Sequence, residues 1–168
     1  MPISSLLERG YRDIIVIRIF GVGFEKRTRI PEDANIITVA PRERLGGVLQ
    51  FDAAQSRRLL QLGYFDGLRM LYGLAGEKYY IDRQWSETEA YFALQELCRL
   101  FIKEETPSLR EMNETILAKH LKVKDGGYYD LLTALLERLA ERQGISPFRV
   151  RTEKMLLTEI ARGRQSRP

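Results

Sequence analysis

Apolar residues are spaced along this chain in two ways. Between Asp13 and Pro41 they run almost without interruption, first as Ile14-Ile15-Val16-Ile17-Arg18-Ile19-Phe20 and then as Asn35-Ile36-Ile37-Thr38-Val39-Ala40. Turn-forming Gly21 and Gly23 follow the first run, and Pro41 stops the second. Continuous β-branched runs of this length predict strands buried on both faces, as in a parallel sheet covered by helices. Elsewhere the spacing is helical. Pro2 suits the first position of a short helix through Leu6, Leu7 and Glu8, which Gly10 ends before the first strand. A helix, a glycine turn and a buried strand make the second half of a βαβ unit. Strands with helical patterns on either side predict an α/β fold.

After the strands, Pro31-Glu32-Asp33-Ala34 is a turn, and Leu45-Gly46-Gly47-Val48-Leu49-Gln50 is a loop before a long helix. Asp52, with Gln55 three residues on, supplies the cap of that helix. Leu59, Leu60, Tyr64, Leu68, Leu71 and Tyr72 give its expected buried stripe, and Gly73 and Gly76 end it. Gly63 and Gly67, four apart, leave a smooth spot open to close approach by another backbone. Lys78-Tyr79-Tyr80-Ile81 reads as a short extended piece.

From Ser86 onward the pattern predicts helices only. Ser86 with Glu89 and Ser108 with Glu111 are capping boxes, and Thr152 caps a last helix. The expected apolar faces are Tyr91, Leu94, Leu97, Cys98 and Phe101; then Met112, Ile116 and Leu117; then Leu131, Leu132, Leu135, Leu136 and Leu139, closed by Gly144; and finally Met155, Leu156 and Ile160. The expected division is an α/β part over residues 1–82 and an all-helical extension over 83–168.

Composition changes this picture little. With 168 residues, 44% apolar and 30% charged, the chain is of ordinary globular make-up. Its N-terminus lacks the basic and apolar regions of a signal peptide, and its one cysteine permits no internal disulfide, so a cytoplasmic location is expected. The net charge is +4. Basic residues gather at Lys26, Arg27 and Arg29 and again at Arg162, Arg164 and Arg167. An anionic membrane surface can use such patches, but no nucleic-acid motif accompanies them, and a solvated loop and tail explain them.

The residues offer no catalytic constellation. Gly21-Val22-Gly23-Phe24-Glu25-Lys26 lacks the third glycine and the following helix of a phosphate loop. Cys98 sits on an apolar face, and His120 is the sole histidine, so no zinc ligand set or histidine pair exists. None of Ser4, Ser5, Ser56, Ser86, Ser108, Ser146 or Ser166 has the flanking glycines of a nucleophile elbow, Gly-x-Ser-x-Gly. The expectation is no catalytic residue, no metal and no cofactor.

One resemblance covers about half of the chain. Pro2-Ile3 followed by Leu6-Leu7-Glu8-Arg9-Gly10-Tyr11-Arg12-Asp13-Ile14-Ile15 resembles the segment just after the catalytic-aspartate motif of bacterial patatin-like phospholipases. The likeness continues through Pro31 to Ile37, Leu45-Gly46-Gly47-Val48-Leu49, Phe51-Asp52, Leu62-Gly63-Tyr64-Phe65-Asp66-Gly67 and Gly76-Glu77-Lys78-Tyr79-Tyr80-Ile81. The resemblance implies part of a three-layer α/β/α sheet and a lipid acyl ester hydrolase acting through a Ser–Asp dyad. The serine, the oxyanion loop and the aspartate of that family would all precede Pro2. Asp125-Gly126-Gly127 matches the family's aspartate triplet, but it lies outside the region of resemblance. A charged stretch precedes it and a leucine-rich helix follows, so it reads as a turn between helices.

The expected function is therefore the C-terminal part of a patatin-like phospholipase, inactive by itself. The alternative is a non-catalytic helical interaction module or an anionic membrane-surface binding module. Expected partners are the N-terminal catalytic portion, a lipid or anionic membrane surface met peripherally, and a second copy paired through an exposed strand edge.

Overall fold

A computed structural model of the chain describes residues 3–18, 28–43, 45–46, 52–101, 121, 123 and 126–165. The chain forms two compact units, Met1–Leu71 and Tyr72–Pro168. Helices and short strands in small parallel sheets place it in the α/β class. Among the described residues, no helix is long and apolar enough to cross a membrane.

The first unit begins with α1 (Ile3–Glu8). Gly10 ends it in the left-handed region, at φ +88°. Its amide donates to the Leu7 carbonyl and the Tyr11 amide to the Leu6 carbonyl, the paired bonds of a Schellman cap. The strands β1 (Asp13–Ile17) and β2 (Asn35–Val39) pair in parallel, with Asp13 opposite Asn35 and Ile17 opposite Val39. Asn35 Nδ2 donates to Asp13 Oδ1 at 3.2 Å and so fixes the first pair of that register. Arg12 ties the elements together: its Nε donates to Asp33 Oδ2 at 2.7 Å and its Nη1 to the Leu7 carbonyl at 3.1 Å.

The two strands lie where the apolar runs place them, and Ile19 and Phe20 fall outside the described residues. Their expected burial on both faces is corrected. Ile14 is buried, while Ile15 and Ile17 are 60% and 74% exposed and Ile37 is also exposed. In a pair of strands side chains alternate between faces. One face is therefore covered and the other is bare.

The long helix α2 (Ala53–Tyr72) starts where Asp52 Oδ1 accepts the Ala54 amide at 2.8 Å, and Gly73 at φ +63° follows its end. Its expected stripe is also corrected. Leu60, Tyr64, Leu71 and Tyr72 are exposed, and the buried residues are Leu62, Asp66 and Arg69. Asp66 and Arg69 meet one turn apart as an ion pair at 2.8 Å, which makes a polar inward face tolerable.

The second unit contains β3 (Tyr80–Asp82), α3 (Glu87–Phe101), α4 (Tyr128–Arg142), β4 (Val150–Thr152) and α5 (Glu153–Gln165). The strand β4 corrects the expectation of helices alone after Ser86. It pairs in parallel with β3, Ile81 opposite Arg151, and both strands lie in this unit. Three residues centred on an arginine are too few to show a strand period. Arg151 is nevertheless buried, because its Nε meets Glu159 Oε2 at 3.0 Å and its Nη1 meets the Ser146 and Arg149 carbonyls.

The helix faces close a core of Ile81, Leu94, Leu97, Cys98, Leu131, Leu132, Leu135, Leu136, Leu139, Leu156 and Ile160, as their spacing predicts. Met155 is exposed. The second expected helix face, Met112 to Leu117, and the Ser108–Glu111 box lie outside the described residues. Ser86 and Glu89 form the expected reciprocal box: the Ser86 amide donates to Glu89 Oε2 at 2.8 Å and the Glu89 amide to Ser86 Oγ at 3.3 Å. Thr152 Oγ1 accepts the Met155 amide at the start of α5. Gly144, at φ +70°, closes α4 with a second Schellman pair.

Two glycines separate conformational need from habit. A Cβ on Gly63 would meet nothing within 4 Å among the described residues, whereas one on Gly76, at φ +93°, would stand 2.6 Å from the Tyr79 carbonyl oxygen. Gly63→Ala should therefore raise the unfolding free energy by about 0.5–1 kcal/mol. Gly76→Ala should lower it by about 2 kcal/mol. Urea unfolding followed by circular dichroism reads both signs.

Candidate functional site

Among the described residues, those singled out for chemistry do not converge. Cys98 is buried in the core, and burial pushes its thiol above the ordinary value, away from thiolate. His120, Ser108, Asp125 and Ser166 lie outside the described residues. Ser4 and Ser5 are in α1, Ser56 is in α2 and Ser86 is a helix cap. Among the basic residues, Arg29 and Arg162 are exposed, and Lys26, Arg27 and Arg167 lie outside the described residues.

Gly126 and Gly127 directly precede α4, and Gly127 is its N-cap. Both roles are steric: a Cβ on Gly126 would stand 2.7 Å from Asp130 Cβ, and the space at Gly127 is set by Glu87 of α3. A Cβ on Gly127 would stand 2.6 Å from Glu87 Oε2, the oxygen that accepts the Tyr129 amide at 3.1 Å. A carboxylate from a neighbouring helix thus sits over the N-terminus of α4, where the first amides lack partners and the helix dipole favours negative charge. Within α4, Asp130 Oδ2 accepts the Gly127 amide at 3.1 Å.

The densest polar constellation in the second unit is built from two further carboxylates. Glu137, in the middle of α4, directs Oε1 at three successive amides, those of Glu77, Lys78 and Tyr79, at 2.8, 2.8 and 2.7 Å. Such a run of amides is an anion-binding nest, here filled from within the chain. Burial pushes the Glu137 carboxyl above its ordinary value, and the three amides pull against that shift. Glu153, at the start of α5 and fully buried, accepts the Gln84 amide at 3.0 Å and the Tyr129 hydroxyl at 2.7 Å through Oε1. The Arg83 guanidinium carbon lies 3.9 Å from the centre of the Tyr129 ring, and Arg83 Nη2 reaches Glu87 Oε1 at 3.1 Å.

The buried tyrosines are held neutral. Burial pushes Tyr129 strongly upward and the Glu153 carboxylate adds to that shift. Burial pushes Tyr79 to about 12, and its hydroxyl donates to the Ile145 carbonyl at 2.8 Å. A general acid or base works best with a pKa near the operating pH, and these phenols stand far above it. Each carboxylate is engaged by amides whose release would uncap a turn or a helix. The arrangement binds the chain to itself. Among the described residues, no group of acidic, histidine or cysteine side chains is placed to hold a metal ion.

Glu137 and Glu153 escape sequence reasoning because a helical glutamate ordinarily reads as solvent-facing. A faint signal exists for Glu137, which falls on a stripe with Tyr129, Thr133 and Ala140, all buried. No protein-family model, curated protein or solved structure matches the chain.

Removing the Glu137 carboxylate by Glu137→Ala orphans three amides and should cost about 3 kcal/mol or more, against about 1 kcal/mol for Glu137→Gln, which keeps an acceptor. The pH dependence has a defined sign. A carboxyl raised in the folded state binds its proton more tightly there, so its contribution to stability grows as pH falls through the folded pKa. The stability of the natural chain relative to Glu137→Gln should therefore rise as pH falls from neutral towards the ordinary carboxyl range. Paired denaturant titrations measure it.

Proposed function

We propose that this chain is the C-terminal part of a patatin-like lipid acylhydrolase, supplying scaffold and not the reacting groups. The observation that carries the reading is the parallel pair Asp13–Ile17 and Asn35–Val39 with Ile15, Ile17 and Ile37 exposed on one face. Parallel sheets are found almost only with both faces covered, so a bare isoleucine face fits a piece of a larger layered sheet. The ordered blocks from Pro2 to Ile81 support the same reading, because they resemble the segments that follow the catalytic aspartate in that family.

In this reading the three-layer sheet continues beyond β1 and β2. The nucleophilic serine, its aspartate base and the glycine-rich loop that donates amides to the oxyanion are contributed from outside these 168 residues. Oxyanion donors usually lower the barrier of such acyl transfer more than any other group, so scaffold alone gives no residual esterase. The chain contains no Gly-x-Ser-x-Gly to supply a nucleophile elbow.

A second reading rests on the second unit, whose core is closed by its own residues. A self-contained α/β unit fits an interaction module. Specific capture of one partner that survives deletion of residues 1–71 would favour it.

The purified chain should neither hydrolyse p-nitrophenyl esters nor react with a fluorophosphonate probe, and a labelled serine found by mass spectrometry would overturn the proposal. The coding sequence immediately upstream should encode, in frame, a Gly-x-Ser-x-Gly and then an Asp-Gly-Gly or Asp-Gly-Ala a few codons before Pro2. An upstream stop codon without either motif would count equally against it.

A further inference from the structure

We draw no further inference here: the strongest candidate, the exposed side of α2 that presents Leu60, Tyr64 and Leu71, carries nothing, because nothing among the described residues shows what covers it.

Discussion

One carboxylate oxygen accepting three consecutive amides underlies the order of the second unit. Strand pairing there is minimal, since β3 and β4 share three residue pairs. A backbone bridge between Ala75 and Ile81 adds to it, and β3 is also held at its two ends. Glu137 fixes the segment before it, and Glu153 fixes the segment after it. Because Glu137 and Glu153 stand on α4 and α5, the strand cannot shift without disturbing both helices. Glu87 applies the same logic to the N-terminus of α4, and the core leucines then pack on elements whose positions are already set. Buried carboxylates of this kind cost desolvation, which is why each is surrounded by donors.

The two units handle apolar surface differently, and this difference organises the functional reading. The second unit closes its leucine, isoleucine and tyrosine side chains into one core. The first presents isoleucines on one face of a two-stranded sheet and leucines on the outer side of α2. Large exposed apolar patches on a folded chain mark surfaces that are covered in the working assembly. The scaffold reading starts from that fact.

What the sequence made legible were features governed by short-range rules. The caps at Asp52, Ser86 and Thr152, the stops at Gly10, Gly73 and Gly144, and the leucine faces of α3 and α4 all follow from residues within a few positions of one another. Strand existence at Ile14 and Ile36 was legible for the same reason. The failures are tertiary. The inward side of α2 carries Leu62 and an ion pair, whereas the expected stripe leaves Leu60, Tyr64, Leu71 and Tyr72 exposed. The strand at Arg151 exists because a remote β3 pairs with it, and the roles of Glu137 and Glu153 depend on amides far away in the chain. Gly126 and Gly127 stand just before α4, and the reason for Gly127 lies in Glu87.

The distance along the chain between Gln84 and Glu153 carries a kinetic consequence. Their contact joins residues 69 positions apart, and β3 pairs with β4 across a similar span. Contacts this remote must overcome loop-closure entropy before they return any stabilisation, and folds dominated by them form slowly. On the ribosome, β3 and the turn after it emerge long before α5 does. Until Glu153 arrives, Tyr80 and Ile81 have no strand partner in β4, and the Gln84 amide lacks its acceptor. The second unit therefore completes its fold only after α5 has emerged, as one cooperative step that closes on that helix.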